Sequence, residues 1–450
     1  MILFLLLVQL VLCAVILHKQ VVRLQFRNFA TSIFFLVYAI VYVLEPFVLH
    51  LSFGGARSIV GVRPWFFTDP YVYYLYNAYG IALLVVFLLW DRPEDSTTVA
   101  PPPRAREDLD ESNALAVLIV IGVVMFLYAT GMSISDLLIA SRFAWFGEGG
   151  FSIFWLTVSS YFVALLGTYA YMVTVSKKRN WWLLVLCIGA IVFHGVITKD
   201  RKWVIFLASG WFAGLYETSG RKLSISRRAM VSLAVLFMVL VVSQFIRDVI
   251  FRVAIGEDIV FVDEVKRWQS FLIEYGDISY FYRASLEAIH QNLNHGFLVP
   301  FALVRRLLFF FIPVGYSGGL KVPDISATFS DLVDGGDAMR SGNMPPGLFG
   351  LFVMSFGWFG SLFAIPLMAP ALRWMDRLFR QGHSMFRQVF LAMYVFGVVL
   401  AFRGDESSAF YFVMSTAMMI WAIRFIRPAF VRQRPMSRST DPNRPAGRTA

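Results

Sequence analysis

Cysteine and charge are both scarce in this chain. It has 2 Cys among 450 residues. Cys13 and Cys187 each lie inside an apolar run, so both read as packing residues without a disulfide framework. Only 15% of the residues are Asp, Glu, Lys or Arg, where a soluble domain carries about a quarter. A Walker-type phosphate loop, a dinucleotide fingerprint and a nucleophile elbow are all missing, which leaves ATP-driven transport unsupported. Strictly alternating apolar and polar stretches are missing too, which argues against a membrane β-barrel. No block repeats at a fixed period.

What fills the chain is apolar. Hydrophobic residues make up 58%, with 45 Phe, 18 Tyr and 12 Trp. A globular core cannot hide that much apolar surface, so a soluble enzyme is excluded and lipid is the main solvent. A helix satisfies its own backbone in lipid and needs about 20 apolar residues to cross it. Runs of this kind lie at 1–17, 29–51, 71–90, 114–130, 151–175, 181–197, 203–216, 230–245, 347–372, 389–402 and 409–423. The first lacks a basic flank before it and a cleavage site after it, so it reads as a retained span. The expected fold is all-α: a polytopic transmembrane bundle of roughly eleven or twelve spans.

The formal net charge of +11 looks like a nucleic-acid binder's balance. With the N-terminus outside, however, the cytoplasmic segments collect 24 basic and 10 acidic residues, and the outer ones 16 and 18. The excess is topological, as the positive-inside bias requires, and no nucleic-acid partner is implied. Four regions follow: N-terminal spans in 1–246, an extracytoplasmic segment in 247–346, C-terminal spans in 347–426, and a basic, Pro-rich cytoplasmic tail in 427–450 with no apolar periodicity.

The outer segment is built for more than connection. Asp277 to Leu293 has an amphipathic helical pattern, stopped by Asn294-His295-Gly296. A further apolar run, 297–313, carries Arg305 and Arg306 in its middle. Each charge at a bilayer centre costs about 2.5–3.5 kcal/mol on insertion scales, which favours a re-entrant or interfacial helix over a plain span. Arg201 and Lys202 stand in a tight outer hairpin, and Arg247, Arg252, Arg305, Arg306 and Arg403 fall at expected outer ends. Guanidinium forks at headgroup depth suit phosphate oxygens. The plainer alternative is snorkelling to lipid phosphates or pairing with Asp200, Asp248 or Asp405. His290 and His295 lack the spacing of a metal pair, and Asp331 to Asp337 lacks that of a calcium loop. Gly350, Gly357 and Gly360 suit close helix packing. Glu45-Pro46, inside the second span, places an acid beside a kink-former.

Arg305-Arg306-Leu307-Leu308-Phe309-Phe310-Phe311-Ile312-Pro313 resembles the "RR-aromatic-Pro" segment of Wzy-type oligosaccharide repeat-unit polymerases. Pro345-Pro346-Gly347 and then Phe356-Gly357-Trp358-Phe359-Gly360 are similar to the "P…G…FGxxG" pattern after that family's large outer loop. Arg201 in Thr198-Lys199-Asp200-Arg201-Lys202 fits as well, so the resemblance covers about Arg201 to Gly360. Asp334-Gly335-Gly336-Asp337 has no counterpart in it. The resemblance implies a GT-C-like glycosyltransferase of the bacterial inner membrane with its active face outside. It would join polyprenyl-pyrophosphate-linked oligosaccharides in the bilayer, with a chain-length regulator as a further partner and without cofactor or metal. Arg201, Lys202, Arg252, Arg305, Arg306 and Arg403, with Tyr275 and Tyr280, would hold pyrophosphate and glycan. The general base would be Glu274 or Asp277, three apart on one helix face, with His290, His295, Asp324 and Asp331 left as alternatives. Both acids equally suit structural pairs with Lys266 or Arg283. A ligase moving finished glycan, and a lipid-oligosaccharide flippase, are the competing readings.

Overall fold

The computed structural model describes residues 1–55, 67–90, 277–296, 299–309, 320, 325–334, 345–381 and 384–404, with isolated positions between 185 and 216. Every regular element among them is helical. In chain order these are α1 (Ile2–Leu17), α2 (Phe29–Tyr38), α3 (Glu45–Phe53), α4 (Pro70–Trp90), α5 (Asp277–His295) and α6 (Ala302–Leu308). They continue with α7 (Ile325–Asp334), α8 (Gly347–Ala364), α9 (Met368–Gln381) and α10 (Ser384–Arg403). Among the described residues, four helical stretches are long and apolar enough to cross a membrane: Ile2–Arg23, Phe29–Ser52, Pro70–Trp90 and Gly347–Phe379. The expected spans between 114 and 245, and the one at 409–423, fall wholly or largely outside the described residues.

The second span is α2 and α3 joined by a wide π-turn, Ala39–Leu44. Pro46 explains the irregularity, since it has no N–H to give the carbonyl four residues back. That carbonyl, of Tyr42, instead accepts the Tyr76 hydroxyl of α4 at 2.8 Å. The rings stack across the same joint. Tyr38 and Tyr42 lie 5.8 Å apart at 11°, and Tyr42 and Tyr76 6.0 Å apart at 5°. A buried amide chain ties in α1: Gln9 donates to Asn77 Oδ1 at 2.8 Å and accepts the Tyr38 hydroxyl at 2.8 Å. Polar groups so deep in an apolar bundle are tolerated because each has a partner.

Two ends of the bundle can be told apart. At one, the buried carboxylate of Asp376 on α9 accepts the backbone N–H of Ala30 at 2.7 Å and the Thr31 hydroxyl at 2.5 Å. It thus caps the first turn of α2, whose own N-cap residue Asn28 makes no side-chain cap. Tyr394 of α10 donates to the Ala30 carbonyl at 2.8 Å, and Arg373 lies over the Phe87 ring at 5.5 Å. These contacts bring Arg373 and Arg377 to the end where Lys19, Arg23 and Arg27 connect α1 to α2. At the opposite end α3 stops at Gly54, and Phe67, just ahead of α4, meets the His290 ring of α5 at 6.1 Å.

The stretch Gly347–Phe379 does not cross as one rod. Its 33 residues would measure about 50 Å against a hydrocarbon core of about 30 Å. Gly357 interrupts it with φ 70 and ψ 172, a conformation that L side chains rarely adopt. The residues before Gly357 begin level with the middle of the second span, where Phe349 meets the Tyr42 ring at 4.9 Å. Those after it, α9 included, descend to the basic end at Asp376. The span expected over 347–372 lies within Gly347–Phe379, with a break at Gly357 that divides it into a shorter helix before and a longer one after. Aromatic apolar composition alone does not distinguish the two.

Candidate functional site

Several helices end inside the bundle instead of at its faces. Phe402, next to last in α10, packs its ring against Phe34 at 4.9 Å, Tyr38 at 6.3 Å and Tyr42 at 5.4 Å. Tyr38 stands nine residues past Phe29, so α10 ends about 14 Å into a span of about 36 Å. Gly404 follows at φ +80 and lies on the backbone of Gly347, the first residue of α8. A Cβ on Gly404 would sit 2.7 Å from the Gly347 nitrogen. α7 begins at the same place, with the Ser326 hydroxyl donating to the Gly404 carbonyl at 3.4 Å. α5 opens nearby, where Tyr280 donates to the Pro345 carbonyl at 3.2 Å.

Tyr42 holds this junction together. Its hydroxyl accepts the Leu348 N–H at 2.6 Å and donates to the Phe402 carbonyl at 3.1 Å, with Ser285 Oγ at 3.2 Å. One exposed backbone donor of α8 and one exposed acceptor of α10 are thereby satisfied by a single side chain. The short half-helix is clamped along its length by α5. Gly350 lies against Ala288, which leaves no room for a larger side chain there.

The break at Gly357 forms a second polar locus, nearer the opposite end. Interrupting the helix releases carbonyls and an N–H that lipid cannot satisfy, and three elements take them up. Val299 and Phe301 donate to the Met354 and Ser355 carbonyls at 3.4 and 2.7 Å. Asn292 Oδ1 accepts the Trp358 N–H at 2.9 Å, while its Nδ2 donates to the Gly296 carbonyl at 2.7 Å. Tyr79 donates to the Trp358 carbonyl at 2.8 Å. α6 hangs from this break: Phe301 enters it at φ 52, and Arg305 and Arg306 follow within one turn or so. Arg305 Nε donates to the Leu320 carbonyl at 2.8 Å, and Arg306 is buried, 9% exposed.

The residues expected to act together thus divide between two depths. Arg305 and Arg306 lie beside the break, on the short helix Ala302–Leu308. Tyr280 and Arg403 lie at the mid-height junction, and Asp277 opens α5 one turn before Tyr280. Arg403 is therefore deeper than the outer end at which the sequence placed it, because α10 stops halfway. Arg201, Lys202, Arg252, Glu274 and Tyr275 fall outside the described residues. Along the expected amphipathic helix of 277–293, Tyr282 through Ile289 are all buried, Arg283 and Glu287 among them. Glu287 accepts Gln291 Nε2 at 2.9 Å. Among the described residues, no three His, Cys, Asp or Glu side chains gather as a metal site.

Sequence reasoning missed Tyr42, Asn292, Ser285 and Gly404. Their partners lie tens to hundreds of residues away, and nothing local marks them except Pro46, which frees a carbonyl beside Tyr42. Compared with models of protein families, with curated proteins and with solved structures, the chain finds no match.

Proposed function

We propose that this membrane protein is a polysaccharide polymerase of the outer leaflet. It would join polyprenyl-pyrophosphate-linked oligosaccharide units in cell-surface polysaccharide biosynthesis. The observation that carries the reading is the adjacent pair Arg305 and Arg306, held on α6 beside a broken helix. The RR-aromatic-Pro and FGxxG resemblance falls on these same two pieces. In the reaction, the bond from the donor sugar's anomeric carbon to the pyrophosphate oxygen breaks. A hydroxyl oxygen of the acceptor unit bonds to that carbon, and its proton passes to a base such as Glu274 or Asp277. The pyrophosphate leaves with its carrier, its charge neutralised by the guanidinium pair. The basic end, with Lys19, Arg23, Arg27, Arg373 and Arg377, would face the cytoplasm of a bacterial inner membrane.

Purified protein in vesicles, given two lipid-linked units, should build a ladder of longer lipid-linked glycans. Arg305→Ala should slow that ladder by about a hundredfold, the loss typical of a transition-state charge contact. Normal polymerisation by Arg305→Ala and Arg306→Ala would sink the clamp assignment, and a single transfer product would point to a ligase.

One observation favours a second reading, a lipid-oligosaccharide flippase. Helices that stop halfway and meet inside the bundle are how many transporters build their sites. Movement of a labelled lipid-linked unit across vesicles, without chain growth, would select it.

A further inference from the structure

We propose that the outward face of α9 binds an anionic phospholipid of the surrounding bilayer, held through Arg373 and Arg377. The helix has two unlike sides. Ala369, Leu372, Asp376 and Phe379, three or four residues apart, are buried against the bundle. Leu367, just ahead of the helix, and Trp374 and Leu378 within it are 67, 60 and 44% exposed. Arg377 is exposed beside them, and Arg373 is partly so. Apolar side chains, an indole and guanidinium groups on one face suit the boundary between acyl chains and headgroups.

Asp376 decides the sign of that face. It is the one carboxylate on α9, yet it points inward, with its oxygens hydrogen-bonded to the first turn of α2. Among the described residues it is also the only acid at this end of the bundle, where Lys19, Arg23 and Arg27 add positive charge. The depth is that of headgroups. Arg373 lies over the Phe87 ring at 5.5 Å, and Phe87 stands about one turn before Trp90, the last residue of α4. Trp90 is itself exposed, and tryptophan collects at the membrane surface. The ring under Arg373 holds its guanidinium at this level by a cation–π contact. A guanidinium fork matches phosphate oxygens. A zwitterionic headgroup would bring its own cation to a face already positive, whereas an anionic one would not. Each basic side chain near the membrane surface favours anionic lipid by about fivefold. The site shares no residue with the α6 pair or the mid-height junction. It rests on the membrane reading alone and not on the polymerase one.

The test places the full chain in phosphatidylcholine nanodiscs containing about a tenth of either brominated phosphatidylglycerol or brominated phosphatidylcholine. Bromine quenches nearby indoles, and subtracting the signal of a Trp374→Phe variant isolates Trp374. The brominated anionic lipid should quench Trp374 about threefold or more beyond the zwitterionic one. Arg377→Gln should remove about half of that excess or more, and Arg373→Gln with Arg377→Gln should abolish it. Arg23→Gln takes one charge from another exposed position at the same end and should leave the excess unchanged. Should the double variant aggregate, Arg377→Gln decides alone, since its side chain is exposed. Equal quenching by the two lipids overturns the proposal, as would follow if the acidic residues after Trp90 in the sequence covered the face instead. Equal losses in Arg23→Gln and Arg377→Gln overturn it too, because diffuse attraction would then suffice.

Discussion

The hydroxyl of Tyr42 accepts the backbone N–H of Leu348 at 2.6 Å, joining the irregular middle of one span to the first turn of a helix 306 residues later. The same oxygen donates to Phe402, so removing it leaves a buried donor and a buried acceptor unmatched. Tyr42→Phe should cost about 1–3 kcal/mol of stability, read as a lower midpoint of thermal unfolding in detergent. Since the ring stays, its stacking on Tyr38 and Tyr76 is preserved. A midpoint equal to that of the native protein would show that water replaces the hydroxyl freely.

Gly404 and Gly347 are in backbone contact, and both have positive φ, +80 and +74. Gly404→Ala would bring a methyl onto the nitrogen and carbonyl of Gly347, neither of which can swing aside. The expected loss is about 2–4 kcal/mol, combining strain with the forced separation of α8 and α10. The same substitution at Gly54, which has φ +71 but open space around a Cβ, should cost only about 1 kcal/mol. Comparing the two melts separates crowding from dihedral strain.

Asp376 should behave as a structural acid. It is buried at 3% exposure, and its oxygens reach two backbone N–H groups and a hydroxyl of α2. Asp376→Ala should destabilise the fold by about 2–3 kcal/mol, as expected when charge-assisted bonds to a helix start are lost. Asp376→Asn, which keeps one acceptor, should lie between. Hydrogen exchange at Ala30 and Thr31 should speed up in both variants, in the same order.

Asn292 is matched on both sides of its amide. Asn292→Leu retains bulk but frees the Trp358 N–H and the Gly296 carbonyl, at an expected cost of about 2–4 kcal/mol. Asn292→Asp keeps the acceptor toward Trp358 and should be milder. A tryptophan emission shift specific to Trp358, isolated by a Trp358→Phe control, reports whether the break has rearranged.

Parts of this fold could be read from the chain directly. The second and third spans, expected at 29–51 and 71–90, appear as Phe29–Ser52 and Pro70–Trp90. There, apolar length and the demand for internal hydrogen bonding leave little choice. The stop at Asn294-His295-Gly296 also lies where α5 ends, with Gly296 at φ +75. The first span runs on to Arg23, because a π-turn carries the polar His18–Arg23 segment that hydropathy excludes.

Gly357 shows why the rest was hidden. In sequence it is one glycine of three in an aromatic run, and Gly350 does serve close packing against Ala288 as the spacing implied. What turns Gly357 into a break is the supply of partners from Asn292, Val299, Phe301 and Tyr79, contributed by three other segments. Depth was hidden for a similar reason. Arg403 follows an apolar run, which by composition should end at a membrane face, and only the contacts of its neighbours, Phe402 with Phe34 and Tyr38 and Gly404 with Gly347, place it halfway.

The cap that Asp376 provides has a consequence for biosynthesis. α2 would reach the membrane well before α9, since the carboxylate that completes its first turn lies 346 residues later than Ala30. Until α9 arrives, the opening donors of α2 must be held by water or headgroups. The N-terminal spans therefore wait in an unfinished state, and docking of the late helices closes the bundle and finishes the early ones together.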